Sequence, residues 1–323
     1  MKRGESNPPV TETQVAYRWC TAFQGRVKTV LESRLVDSLG YLVPWEFSPT
    51  VALSCAALVA VYVRGLRAGA QRELAPRWWR TLSFMLGVTL IYVVLQTRID
   101  YYSQHMFWVH RLQHLILHHV SPMLIVLAVP GATLTRGLPK TWQRTLKEHT
   151  RALWWRWIIR VVQQPLVASV LFVGVIGFWL IPAIHFTAML DVRRYRAMNW
   201  SMLIDGLLFW WLVLTPRAVQ GPASIRYFYR AAMVVGVTFP QIFIGAYITL
   251  HRSVLYGVYG ICGRAWAISP MLDQQLGGLL TWIPPAMMSL LGLLIVLHLM
   301  FRDLAAAERA PRAPILAAAK SAG

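Results

Sequence analysis

Negative charge is what this chain has least of. Its 323 residues include 13 Asp and Glu against 32 Lys and Arg, and only 14% of residues are charged. A soluble domain carries about 25% charged residues. With a mean hydropathy of +0.47, this shortage excludes an ordinary soluble fold. Cysteine is scarce too. Cys20, Cys55 and Cys262 lie far apart with no CxxC or CxxxC, so no thiol redox motif, zinc knuckle or disulfide framework is expected. The first 45 residues hold no apolar h-region, so no cleavable signal peptide is expected.

What is present is apolar sequence, in stretches near 20 residues that match the hydrocarbon thickness of a bilayer. They predict an all-α fold, a polytopic membrane helical bundle of about seven transmembrane helices. The expected spans lie near 49–66, 80–98, 103–130, 162–181, 200–216, 231–250 and 277–300. Residues 1–48 form a polar N-terminal tail, with an amphipathic stretch over 14–39. Residues 49–300 form the transmembrane domain, and 301–323 a loose Ala-rich tail.

The net charge of +19 would suggest nucleic acid in a soluble protein. Here the basic residues sit in short loops between apolar runs. The positive-inside rule accounts for them, and anionic lipid headgroups come next; no nucleic-acid partner is expected. Arg64, Arg67, Arg72, Arg77 and Arg80 join spans one and two. A second set, from Arg136 to Arg160, joins spans three and four. Arg217, Arg226 and Arg230 join spans five and six, and further Arg and Lys follow span seven. All four groups fall on one side, expected to be cytoplasmic.

The stretch HRLQHLILHH (His110 to His119) holds four of the chain's nine histidines. Met106, His110, His114 and His118 recur every four residues, which stacks them along one helix stripe. Adjacent members can share one ion. All four cannot, since Met106 and His118 would lie about 18 Å apart at 1.5 Å per residue. His105 and His119 lie off the stripe. A single buried histidine is ordinarily a hydrogen-bonded core residue. Five between 105 and 119 point to metal, because polar groups at membrane depth mark functional sites and imidazole is a common ligand. Proton transfer and interhelical hydrogen bonding are the other readings. Imidazole with thioether favours copper, Cu(I) in particular. His185 and His251, at the outer ends of spans four and six, are candidates to complete the site, as is Asp273 at the start of span seven. Asp273 equally suits a helix cap. Asp205, inside span five, suits a second-shell acceptor for a histidine. A haem is disfavoured, since two histidines at i, i+4 cannot take both axial positions.

The segment HRLQHLILHHVSPMLIVLAVP resembles one in the CtaG-type cytochrome c oxidase assembly factors. GLLFWWLVLTP (Gly206 to Pro216) and LDQQLGGLLTWIP (Leu272 to Pro284) resemble two further segments of that family, in the same order. The resemblance covers about residues 80–300. It implies a multi-pass protein of the bacterial cytoplasmic (inner) membrane that handles copper for the copper B centre. The implied client is haem–copper oxidase subunit I, with a periplasmic copper chaperone as donor. His110 and His114 match the family's paired histidines, and Asp273 and Gln274 its acidic-amide motif. Two family histidines are absent: Leu180 and Asn199 stand in their places.

No catalysis is needed for such a role. The competing readings are a copper or proton transporter, which needs a polar path through the cytoplasmic half, and a membrane di-iron hydroxylase. The latter needs about eight histidines in two or three boxes, and this chain has one cluster.

Overall fold

The computed structural model describes residues 47–70, 76–216 and 225–309. The expected amphipathic stretch over 14–39 and most of the C-terminal tail lie outside them. Among the described residues there are helices and no strands. In chain order they are α1 (Pro49–Ala70), α2 (Trp78–Gln96), α3 (Arg98–His105), α4 (Phe107–Leu115), a π turn (Ile116–Val120), α5 (Ser121–Leu127), α6 (Gly131–Gly137), α7 (Lys140–Arg151), α8 (Leu153–Val162), α9 (Pro165–Leu180), α10 (Pro182–Leu190), α11 (Val192–Leu214), α12 (Tyr227–Leu250), a 3-10 turn (Gly257–Gly260) and α13 (Pro270–Arg309).

Five helices are long and apolar enough to cross a membrane: α1, α2, α11, α12 and α13. Counting each of two bent helix pairs as one span gives up to seven. One runs from Phe107 to Leu127 and turns by 78° into α6; in the other α8 meets α9 at 68°. The burial pattern fits a lipid solvent. Leu53, Leu166, Phe243 and Met287 are exposed, while His110, Arg111, Gln113, His114 and Asp273 are buried.

Several boundaries differ from those read off the sequence. Span three is not one helix from 103 to 130. It breaks at Met106, which is extended (φ −140°, ψ 122°), and widens into a π turn at 116–120. Span five begins eight residues early and takes Arg193, Arg194 and Arg196 into α11. Span seven is a 40-residue helix, about 60 Å long at 1.5 Å per residue, so it projects beyond the bilayer. The basic segment after span three forms helices α7 and α8 rather than a loop. Cys262 is disulfide-bonded, a correction to the expectation of no disulfide; Cys55 is free.

α12 and α13 share the most extensive interface, and α4 packs on α13. α11 packs on the π turn and α5. The π turn has a local cause. Pro122 lacks an N–H, so the His118 carbonyl loses its normal helical donor. Gly206 on α11 meets that carbonyl so closely that a Cβ there would overlap it.

Candidate functional site

The buried histidines form two centres. The outer one is built on His110. Its ring is fully buried, and neither ring nitrogen has a hydrogen-bond partner. The Ser103 backbone acts on the ring without forming a bond of sound geometry. Around it stand His114 (ring centroids 4.2 Å), His185 (5.2 Å), Tyr195 (6.0 Å) and Tyr259 (6.4 Å).

These neighbours are fully engaged. His114 Nε2–H donates to Asn199 Oδ1 at 3.1 Å, and its Nδ1 accepts from Arg111 Nη1 at 3.1 Å. The guanidinium can only donate, so this tautomer is fixed. His185 Nδ1–H donates to the Trp179 carbonyl at 3.0 Å, and its Nε2 accepts from the Tyr259 hydroxyl at 2.9 Å. Burial pushes the Tyr259 phenol well above its ordinary pKa, so it stays protonated and can donate. Tyr195 donates to Asp100 Oδ1 at 2.7 Å, and Gln113 Nε2 donates to the same oxygen at 2.8 Å.

Asp273 and Gln274 hold this centre from above. Asp273 accepts the Phe107 and Trp108 backbone N–H groups at 3.1 and 3.0 Å and pairs with Arg264 at 3.1 Å. It therefore caps α4, not its own helix, and fixes where His110 begins its turn. Gln274 accepts from the Leu255 N–H at 2.7 Å and donates to the Ser253 carbonyl at 3.0 Å. That fixes the 251–269 connection, which carries Tyr256 and Tyr259.

The inner centre is a chain of three groups. His118 Nε2–H donates to Asp205 Oδ2 at 3.0 Å. His118 Nδ1 then accepts from His119 Nδ1–H at 3.3 Å. His119 Nε2 is left with a lone pair and no partner, although Gln241 is its polar neighbour. Phe172 stacks on His118 at 4.1 Å. Asp205 thus holds a histidine, as its place in span five suggested.

Between the centres lies a cavity of ≈10 Å³, lined by Arg111, His114, His118, His119, Met202 and Thr281 among others. That is room for about one water molecule. Arg111 is buried, donates to Thr281 Oγ1 at 3.0 Å, and has no carboxylate within ion-pair distance among the described residues.

The sequence-predicted residues therefore divide. His110, His114 and His185 come together. His118 and His119 form the separate inner pair, because the π turn ends the four-residue stripe. Met106 is buried at the helix break. His105 donates locally to the Tyr101 carbonyl at 3.0 Å. His251 ends α12 beside Tyr247. Among the described residues no group of three or more His, Cys, Asp or Glu is set to hold a metal ion. His114 and His185 would each have to release a hydrogen-bond partner first. Two imidazoles sharing an ion through bonds of about 2 Å have centroids roughly 5 Å apart, and His110 and His185 meet that spacing. Sequence reasoning missed Arg111, Tyr195 and Tyr259. Only Arg111 had a local signal, as a charge amid a span.

Fold and site define a class: an all-helical, multi-pass membrane protein with histidine centres buried in its interior. Within that class the chain belongs to the cytochrome c oxidase caa3 assembly factor family, whose model matches residues 60–303. Uncharacterized proteins of Mycobacterium bovis and Mycobacterium tuberculosis are each 26% identical over 250 residues, covering 75% of this chain and 37% of their own. One of Mycobacterium leprae is 24% identical over 258 residues, covering 74% of this chain and 36% of its own. The chain thus spans little more than a third of the length of these curated relatives. No solved structure matches it.

Proposed function

We propose that this chain supports assembly of a haem–copper oxidase by holding copper, as cargo, at His110 on the outer side of the bacterial cytoplasmic membrane. Subunit I, with its copper B centre, is the client, and a periplasmic copper chaperone is the donor. The observation that carries this reading is the His110 ring: fully buried, with both nitrogens bare. A buried polar group without a partner costs free energy, so a bound ligand would relieve it. His185 supplies a second imidazole by releasing Tyr259. His114 supplies a third only after Arg111 withdraws from its Nδ1, because its Nε2 carries the ring proton and donates to Asn199. Imidazole donors without carboxylates suit copper better than calcium, magnesium or manganese. The disulfide at Cys262 fits an oxidising outer compartment for the 251–269 connection.

Arg111 weighs against a cation transporter. Its buried guanidinium lies between the two centres and repels an ion moving inward, much as a fixed Arg blocks cations in water channels. A di-iron enzyme has less support, since carboxylate and histidine ligands do not converge among the described residues. The role asks for no catalysis.

Metal analysis of the purified protein tests this reading, together with oxidase activity in a host lacking it. Wild type should carry about one copper per chain and restore the oxidase, whereas His110→Ala should do neither. Full restoration by a copper-free variant would overturn it.

A further inference from the structure

α9 and α12 leave between them an apolar cleft of ≈1030 Å³. Its walls are Leu166, Val170, Val173, Ala232, Val237 and Pro240. Gly174 and Gly236 lie open within it, with nothing within 4 Å of where a Cβ would stand. Gln164, Arg226 and Tyr229 stand at the end where both helices begin, and Ser169, one turn further in, is turned back onto the Pro165 carbonyl. Arg226 is exposed and forms none of the ion pairs among the described residues.

The depth of that end follows from α8, which meets α9 at 68°. A helix so inclined to a span lies near the membrane plane. α8 suits the interface: Trp154 and Trp157 are exposed, and Arg156 and Arg160 share one stripe. Gln164 follows α8 directly, so the polar end of the cleft sits at headgroup level and the apolar part lies beneath it.

We propose that this cleft binds one anionic phospholipid of the cytoplasmic leaflet, with its acyl chains on the Gly174–Gly236 floor and its headgroup at Arg226. An apolar trough ending in an exposed cation with no ion-pair partner among the described residues matches such a molecule in shape and charge. A neighbouring protein helix would fill the trough but leave the cation unmatched. The other face of α9 bears Phe172, stacked on His118, so lipid in the cleft braces the helix that packs the inner centre.

The test is native mass spectrometry of the full chain, released from nanodiscs containing phosphatidylglycerol and phosphatidylcholine with identical acyl chains. Wild type should retain one phosphatidylglycerol in preference. Arg226→Gln should reduce that preference about fivefold, the factor for one basic residue at an anionic surface. Gly236→Leu, which fills open space, should abolish retention of either lipid. Equal retention of the two lipids by wild type would overturn the proposal, as would undiminished retention by Gly236→Leu. Occupation of the cleft by a co-purifying protein would overturn it as well. Arg226 is exposed, so its variant keeps the test decisive even if Gly236→Leu folds poorly.

Discussion

Asp273, near the start of α13, accepts the Trp108 backbone N–H at 3.0 Å across the interface with α4. Together with the Phe107 N–H and Arg264, this lets one carboxylate satisfy a helix terminus and a cation at once. The acidic-amide motif thus clamps the histidine helix and the 251–269 connection. Asp273→Ala should destabilise the protein by about 3 kcal/mol or more, since it leaves a largely buried Arg264 unpaired. Thermal unfolding in detergent measures this. An unchanged midpoint would show that the clamp contributes nothing.

Asn199, where the resemblance implies a family histidine, accepts the His114 Nε2–H. Its amide keeps His114 occupied. Asn199→His should return an imidazole to the site and tighten copper binding by about tenfold, in the range of changes next to a metal ligand. Competition against a Cu(I) chelator reads this out. Weaker binding would mean that Asn199 orients His114 productively.

Arg111 sets a cost on any ion bound beside it. At an effective dielectric of about 20 and a separation of about 6 Å, two positive charges repel by about 3 kcal/mol. Arg111→Met should therefore tighten copper binding by roughly a hundredfold, while costing about 1–3 kcal/mol of stability from the partners it abandons. No gain in affinity would remove the electrostatic case against transport.

Much of the fold was legible. Apolar runs near 20 residues announced an all-helical bundle with five to seven helices able to cross a membrane. The interruptions were legible only in part: Pro122 marks a kink after the histidines, whereas the break at Met106 involves a distant helix. Met106 is extended only because Asp273 on a distant helix caps the residues after it. The π turn needs Pro122 on its own strand of sequence and Gly206 on α11. Spacing by four assumed an unbroken helix, so it joined His118 to a stripe that ends at His114. His185 was found from its place at the outer end of span four. Tyr195 and Tyr259 gave no signal, since packing brings them to His110 from α11 and a surface connection.

The inner centre should prove structural. Asp205→Ala leaves the His118 Nε2–H buried without an acceptor, and should cost about 1–3 kcal/mol of stability with copper content unchanged in the folded fraction. Paired stability and metal measurements on that variant check it. A fall in copper content would bring His118 and His119 into the metal site.

The three outer histidines should not matter equally. His110 alone has both nitrogens free, so His110→Ala should lower copper content to under a tenth of wild type. His185 has Tyr259 as its only obstacle at Nε2, and exchanging a neutral hydroxyl for a metal is a small rearrangement. His185→Ala should weaken binding by about tenfold or more. His114 carries its ring proton on Nε2 and must release Arg111 from Nδ1 before it can bind, and the guanidinium beside it opposes a cation. His114→Ala should weaken binding least, although His110 and His114 are the pair that the sequence pattern puts first. Each variant needs a Cu(I) affinity and an oxidase-restoration measurement. If His114→Ala abolishes copper while His185→Ala retains it, the hydrogen bonds around these rings do not set the ligand order.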